Sequence, residues 1–437
     1  MPGTLRDHGL DGLIGRLMLA AMVVHFMVSP MALAALGWNY DAPGGAGPTR
    51  FHPSSYLLLM LFGLLLLRDG NPLVSLGNTF ARDARFALFL FAWGVLLFHA
   101  VRHQQLPAAA PVDTFLMPLI AVLIFLRLGD TMRHRMEGAL HAIFLVNTLL
   151  GLAEFLTGFR LTPYVAGGVL IMDDWRSTAF LGHPLTNALM TGCYTMMLLL
   201  GGGPRLKGRW RWGMIALQFA GMIAFGGRAS LVLLVLVAGI AAMRLLFLFL
   251  AGGRLRLRDM ALAGVLLPIG LAILGTLLAL GFFDRFLLRF VEDKGSAQAR
   301  IVMFELFNGF TWPELLFGPP QVNLSYFVHV YKLEFGIESL WVAFILFYGI
   351  LPSLMFLLGF LFFLFGLMAR CQARGWVILG YFFLVNTTFL GIAGKSTSVT
   401  SLALMLLLML PREVPRLAPM QPALRIWKPD PAWRMRG

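Results

Sequence analysis

The chain has 437 residues, of which 59% are hydrophobic and only 13% are charged. Soluble domains carry about a quarter charged residues, so this composition excludes a soluble globular protein. A formal net charge of +14 would suggest nucleic acid as a partner of a soluble protein. In a membrane protein, basic loops act as orientation signals and contact anionic lipid. We therefore expect an all-α polytopic membrane protein whose partners include membrane lipids and no nucleic acid.

Apolar runs near the roughly 20 residues needed to cross a bilayer recur along the chain and predict about twelve transmembrane helices. The predicted spans are 12–36, 54–67, 86–102, 112–128, 137–157, 182–200, 212–226, 229–250, 260–280, 337–368, 375–393 and 397–410. The segment 281–336 is the one long stretch outside the termini that is not mostly apolar. The expected organisation is therefore 1–280 with nine spans, a large loop at 281–336, three spans in 337–410, and a basic tail at 411–437.

The distribution of basic residues predicts the orientation of these spans. If the N-terminus is cytoplasmic, the cytoplasmic segments contain 24 of the 35 basic residues. Cytoplasmic loops are enriched in lysine and arginine. We therefore expect both termini to be cytoplasmic and the 281–336 loop, with an amphipathic helix at 299–310, to face the periplasm.

Three arginines on the expected periplasmic side are candidates for binding a diphosphate. Arg176 precedes the sixth span, whose helix is expected to start at His183-Pro184, and Arg300 opens the amphipathic stretch of the loop. Arg228 lies in a Gly-Gly-Arg turn, where glycine permits a close return of the chain and leaves the arginine at a helix N-terminus. Arginine suits bidentate recognition of phosphate, and a helix N-terminus adds to the field. The alternative is that these arginines pair with nearby carboxylates.

Acidic residues and a histidine near the end of the loop are candidates for deprotonating an acceptor hydroxyl. His329, Glu334, Glu338 and Glu305 are the candidates. Glu338 begins an apolar span, where a charge is costly unless it is used or paired. The expected catalytic residues are Glu338 and His329, with Arg300 stabilising the leaving group. Each candidate acid or base has a structural role as the alternative.

No cofactor or metal is predicted. The string Gly394-Lys-Ser-Thr397 imitates part of a phosphate loop but has Phe389 where the first glycine is required. His99 and His103 lie four residues apart on one helix, and the sequence offers no third ligand. The candidate chemistry therefore depends on arginine, histidine and carboxylate side chains.

The order of these motifs resembles that of the O-antigen ligase and Wzy-type O-antigen polymerase superfamily over roughly 176–398. The motifs are Arg176 followed by Gly182-His-Pro184, then Gly227-Arg-Ala-Ser230, Ser296-Ala-Gln-Ala-Arg300, Leu316-Phe-Gly318 and Leu333-Glu-Phe-Gly-Ile337. The resemblance implies a metal-independent glycosyltransferase of the bacterial inner membrane. It would transfer glycan from undecaprenyl diphosphate to an acceptor sugar, with a flippase and a chain-length regulator as further partners.

Three functions remain open, two within this superfamily and one outside it. Ligases of this superfamily carry a His-Asn pair where Ser325-Tyr326 stands, which favours a polymerase for exopolysaccharide or O-antigen. The first alternative is an O-antigen ligase that transfers glycan to lipid A core. The second is a transporter, which should show repeat symmetry, broken helices and charges within the spans.

Overall fold

The computed structural model describes residues 4–40, 47–104, 106–166, 169–171, 174–252, 302–333, 337 and 339–412. Their regular secondary structure is helical, apart from one antiparallel hairpin of two short strands, β1 (Val165–Ala166) and β2 (Val169–Leu170). The predicted ninth span, the catalytic candidates Arg300, Glu334 and Glu338, and the tail after residue 412 lie outside the described residues.

The first half of the chain forms eleven described helices. They are α1 (Thr4–Met27), α2 (Pro30–Ala35), α3 (Pro53–Arg68), α4 (Pro72–Arg82), α5 (Ala84–Arg102), α6 (Ala109–Pro111), α7 (Met117–Phe125), α8 (Asp130–Thr157), α9 (Pro184–Leu199), α10 (Gly208–Phe225) and α11 (Arg228–Leu250). A π-helical turn, Val112–Leu116, joins α6 to α7, and a 3₁₀ turn, Gly47–Arg50, precedes α3.

The second half contributes six described α-helices and two 3₁₀ turns. The helices are α12 (Trp312–Phe317), α13 (Gln321–Val330), α14 (Leu340–Tyr348), α15 (Ile350–Met368), α16 (Gly375–Asn386) and α17 (Ser398–Met409). The 3₁₀ turns are Leu306–Gly309 and Gly391–Ala393. Residues 302–309 are helical, which agrees with the amphipathic helix expected over 299–310 for the part that is described.

Two predicted spans prove to be interrupted. The expected continuous span 12–36 is wrong because Ser29 caps a new helix, accepting a hydrogen bond from the Ala32 amide, and Pro30 occupies its first turn. The expected span 337–368 is wrong because Gly349, with φ of +87°, separates α14 from α15. A side chain at Gly349 would lie 2.4 Å from the Gly318 nitrogen, so both the backbone conformation and the close approach require glycine.

Three helices form the centre of the bundle. Every residue of α7 and α17 is buried, and so are thirteen of the sixteen residues of α9. Helix α9 contacts α10, α11, α16 and α17, while α7 packs on α3 and α17. On one flank, α5 packs along α15, where a Cβ on Gly359 would lie 2.2 Å from the Ala92 Cβ. Small residues at such crossings allow two helix backbones to approach closely.

The connections between helices collect at two ends of the bundle. One end, here the basic end, comprises segments 69–83, 126–137, 200–211, 369–374 and 410–412. Its contacts include an ion pair between Arg127 and Asp69, another of 2.8 Å between Arg370 and Asp83, and a hydrogen bond of 2.8 Å from the Gly203 amide to the Met409 carbonyl. Each of these segments carries arginine or lysine.

The opposite end, here the loop end, comprises the described residues of 28–40, 47–52, 103–104, 106–114, 158–166, 169–171, 174–183, 225–230, 302–333 and 387–397. The His52 amide donates to Asp113 Oδ2 at 2.9 Å, and Gln104 Nε2 donates to the Phe317 carbonyl at 2.8 Å. The Lys395 ammonium donates to the carbonyls of Tyr40 and Arg50. Successive long helices therefore run between the same two ends.

Within the described residues, three helices are long and apolar enough to cross a membrane: α5, α8 and α15. Helices α3 and α4 would provide a fourth if the pair, bent by 101°, counts as one span. These helices make the chain compatible with a helical membrane protein. The full count of twelve spans remains a prediction.

Candidate functional site

At the loop end, the 174–183 segment lies against the 225–230 turn. Gly226 adopts φ of +66°, Gly227 precedes the helix, and α11 starts at Arg228, which confirms the predicted turn and the position of this arginine. A Cβ on Gly226 would lie 2.8 Å from Cγ of Arg176, and one on Gly227 would lie 2.3 Å from Cβ of Ala188. Glycine at 226 therefore lets the stem of Arg176 pack directly on the turn that carries Arg228, and glycine at 227 lets the same turn pack on Ala188 of α9.

Arg176 is buried and paired with Asp174. Its Nε lies 2.8 Å from Oδ2 of Asp174, and its Nη2 lies 2.5 Å from the same oxygen. Nη2 also donates to the Tyr164 hydroxyl at 3.3 Å, and the guanidinium lies 5.6 Å from the centre of the Tyr164 ring. Burial disfavours the charge, but the hydrogen bonds and charge of Asp174 outweigh it and raise the pKa of Arg176 above its usual value. The alternative that this arginine pairs with a nearby carboxylate is therefore confirmed for Arg176, and its guanidinium is a fixed, charged part of the site.

His183, at the start of α9, lies next to Arg176 and contacts the same tyrosine, Tyr164. Helix α9 starts at Pro184 with His183 as its N-cap, as the sequence predicts. The ring Nδ1 accepts the Leu185 amide at 3.2 Å, so we assign the ring proton to Nε2, which lies 3.4 Å from the Tyr164 oxygen. Burial, followed by the charge of Arg176, lowers the pKa of His183 to about 4. His183 is consequently neutral at physiological pH.

Two buried asparagines, which the sequence reasoning missed, support the irregular 174–183 segment. Asn147 on α8 accepts the Phe180 amide at 3.0 Å and donates to Asn187 Oδ1 at 3.0 Å. Asn187 on α9 in turn donates to the Thr178 carbonyl at 2.6 Å. Non-helical backbone inside an apolar bundle needs such partners, because unpaired polar groups are costly there. The available signal was one asparagine inside each of two apolar spans, Asn147 in 137–157 and Asn187 in 182–200.

Arg228 is half-buried in the first turn of α11. The turn is fixed from the other side by α16, since the Tyr381 hydroxyl donates to the Ser230 carbonyl at 3.0 Å. The site thus combines the guanidinium of Arg228, at the N-terminus of a 23-residue helix, with that of Arg176 on the neighbouring segment. Helix N-termini and arginines both favour anions. This arrangement is chemically suited to holding a phosphate or diphosphate group.

The remaining described candidates lie elsewhere at the loop end. His329 is exposed in the last turn of α13 and, among the described residues, makes no hydrogen bond or ion pair with Arg176 or Arg228. Glu305 is also exposed, just before the 3₁₀ turn. The segment that carries both is attached to α5, where His99 Nε2 lies 2.7 Å from the Phe317 carbonyl. The structure therefore joins the Arg176 segment to the Arg228 turn but does not bring His329 to them.

Comparisons with known protein families, with curated proteins and with solved structures find no match to this chain. The functional assignment consequently rests on the residues and contacts described above.

Proposed function

We propose that this protein is an inner-membrane glycosyltransferase that polymerises undecaprenyl-diphosphate-linked oligosaccharides into an exopolysaccharide or O-antigen. The observation that carries the proposal is the contact between the Arg176 segment and the Gly226-Gly227-Arg228 turn at the loop end. Both arginines lie where apolar helices terminate. A lipid-linked diphosphate can place its chain among such helices and its headgroup at the arginines.

The reaction needs few groups besides these cations. The oxygen of an acceptor hydroxyl attacks the anomeric carbon, and the bond from that carbon to the diphosphate oxygen breaks. Undecaprenyl diphosphate leaves with the bonding electrons, and the hydroxyl proton passes to a base. Arg228, Arg176 and Arg300 would stabilise the charge that develops on the diphosphate. Glu338 and His329 remain our candidates for the base.

The distribution of basic residues supports the proposed orientation. Segments of the basic end contain 11 of the 23 described arginines and lysines, against six in the segments of the loop end, and such an excess is expected of a cytoplasmic face. The loop end, with Arg176 and Arg228 (the arginine site), would then face the periplasm. This proposal includes twelve spans, both termini in the cytoplasm and a reaction in the periplasm.

Replacing Arg228 in the bacterium that makes the polymer tests the function. We expect Arg228→Ala to abolish long chains at normal protein levels. The matched control is Arg102→Ala, because Arg102 is exposed at the same end of the bundle on α5. Unchanged chain length in Arg228→Ala would contradict the proposal.

A ligase would use the same donor but a different acceptor. The sequence at Ser325-Tyr326, which lacks the His-Asn pair of ligases, favours the polymerase. Deleting the gene separates the two functions. Loss of a secreted or repeating polymer fits a polymerase, whereas loss of all long chains from lipopolysaccharide with intact free polymer fits a ligase.

A transporter is the second candidate class, and the interrupted helices favour it. Helices α16 and α17 have twelve residues each, shorter than the roughly 20 that span a bilayer, and residues 387–397 between them form no α-helix. Broken helices often accompany substrate sites in transporters. Movement of a fluorescent lipid-linked oligosaccharide across proteoliposomes, without new glycosidic bonds, would support this alternative over the polymerase.

A further inference from the structure

A buried carboxylate beneath the arginine site holds two separate parts of the 158–183 connection. Glu154 lies in the last turn of α8 and is 3% exposed. Its Oε1 accepts the Leu161 amide at 3.0 Å. Its Oε2 accepts the amides of Thr178 and Ala179, both at 2.9 Å. One side chain therefore joins the start of the connection to its end.

The segment that Glu154 holds contains a strained residue. Ala179 is fully buried and adopts φ of +41°, a left-handed conformation that is unfavourable for a residue other than glycine. Such strain persists where the surroundings hold it in place, and it is concentrated at functional sites. The two hydrogen bonds from the amides of residues 178 and 179 to Glu154 hold the backbone in this conformation.

The strained residue, Ala179, lies three positions after Arg176 in the chain. The intervening Ser177 donates its amide to the Ala224 carbonyl at 3.0 Å and its hydroxyl to the Gly151 carbonyl at 2.5 Å. Arg176 is thereby placed between the end of α10 on one side and the amides held by Glu154 on the other. The position of its guanidinium relative to the 225–230 turn depends on both attachments.

We propose that Glu154 is a positioning residue of the arginine site, which sets the place of Arg176 beside the Arg228 turn and thereby the affinity for a lipid-linked diphosphate. This inference rests on the proposed function. This role of Glu154 requires a carboxylate, because three backbone N–H groups donate to its two side-chain oxygens. A carboxylate offers two acceptor oxygens and no donor. A glutamine would turn an NH₂ donor toward at least one of these amides.

The same helix supplies a matched control. Glu137 is 2% exposed and accepts a backbone amide, that of Arg205, at 2.8 Å. It lies at the basic end of α8, away from the arginine site. Glu137→Gln therefore reproduces the loss of a buried carboxylate and of an acceptor for a backbone amide without touching the 174–183 segment. Any effect that Glu154→Gln has beyond this control reports on positioning.

The experiment uses the full-length protein in lipid nanodiscs and undecaprenyl diphosphate as the probe. Hydrogen exchange of the residue 178 and 179 amides and the Kd for the probe are measured for wild type, Glu154→Gln and Glu137→Gln. We expect Glu154→Gln to accelerate both amides and to raise Kd at least about tenfold, since small displacements of binding groups have effects of this order. We expect Glu137→Gln to leave both quantities at their wild-type values.

The outcomes separate this inference from the function on which it rests. A wild-type Kd in Glu154→Gln, or an equal rise in Kd in Glu137→Gln, would overturn the role of Glu154 while leaving the diphosphate site in place. Wild-type protein that binds undecaprenyl diphosphate no better than Arg228→Ala would overturn the proposed function itself. A rise in Kd confined to Glu154→Gln supports both.

Discussion

At the scale of single residues, the site depends on the geometry of one guanidinium. Arg176 uses two of its nitrogens on Asp174 and one of these also on Tyr164. Lysine carries the same charge on a single nitrogen and cannot reproduce this planar, forked arrangement. A charge-preserving replacement therefore distinguishes the geometry of Arg176 from its contribution to the local electrostatic field.

We predict that Arg176→Lys lowers polymer formation at least about tenfold, because hydrogen bonds of a charged group are each worth about 1.5–3 kcal/mol. Polymer yield at equal protein level is the measurement. Arg160→Lys is the control, since Arg160 belongs to the same connection but, within the described part of the chain, donates only to the Ile171 carbonyl, at 3.2 Å. Equal yields from Arg176→Lys and the control would contradict a geometric role.

The buried histidine of the site predicts a dependence of stability on pH. The pKa of His183 falls from 6.5 to about 4 on folding because of burial and then the charge of Arg176. Between these values the unfolded chain binds a proton that the folded chain excludes, so the folding free energy contributed by this group is lost as pH decreases from about 6.5 toward 4. His52, whose pKa burial also lowers to about 4, acts in the same direction.

We predict that His183→Asn reduces this loss of stability. Asparagine can still accept the Leu185 amide as the N-cap of α9, but it has no proton to bind in this pH range. The apparent Tm of the purified protein, measured from pH 7 to pH 4, should fall less steeply in the variant than in wild type. Parallel curves would show that His183 does not titrate in the predicted way.

At the scale of elements, local signals in the sequence predict the turn and helix starts of the site. Gly226 and Gly227 before Arg228 indicate a left-handed turn, and His183-Pro184 indicates a helix start. The Ser29-Pro30 pair is likewise typical of a helix start. Hydrophobicity alone does not reveal this start, because residues 12–36 form one apolar run. The break at Gly349 is different, because it depends on contact with Gly318, which is distant in the chain.

The support of the 174–183 segment could not be predicted from sequence. Asn147, Asn187 and Glu154 act on backbone groups that lie between 7 and 33 residues away along the chain. Helical periodicity places these three residues on helices but does not give their partners. Only the packing of α8 against α9 and α10 brings them to the segment.

We predict that Gly226→Ala damages both stability and activity. Alanine at φ of +66° costs roughly 1–2 kcal/mol. Its Cβ would lie only 2.8 Å from Cγ of Arg176, so the side chain of Arg176 would have to move. Gly213→Ala on the same helix, α10, is the control, because a Cβ there meets no atom within 4 Å. Thermal unfolding and chain-length distribution should show a loss for Gly226→Ala and wild-type or slightly higher stability for Gly213→Ala.

At the scale of the whole molecule, the proposed orientation assigns the two ends of the bundle to opposite sides of the membrane. Single cysteines can test this, because Cys193 and Cys371 are both buried and should react little. Val322 is 81% exposed at the loop end, and Lys207 is exposed at the basic end.

We predict that a membrane-impermeant maleimide reaching the periplasm labels Val322→Cys in intact cells. Lys207→Cys should be labelled only after the inner membrane is permeabilised. The reverse pattern would place the arginine site on the cytoplasmic face and exclude a periplasmic polymerase. Labelling of both positions in intact cells would contradict a bundle whose ends lie on opposite sides.

The most direct test of the central claim is the reaction of purified protein in proteoliposomes with an undecaprenyl-diphosphate-linked oligosaccharide. Release of undecaprenyl diphosphate and growth of the glycan are measured together. We expect both in wild type and in Arg102→Ala, and a loss of at least about a hundredfold in Arg228→Ala, in line with removal of a group that stabilises developing charge. Equal rates in wild type and Arg228→Ala, or no glycan growth in wild type, would contradict the account.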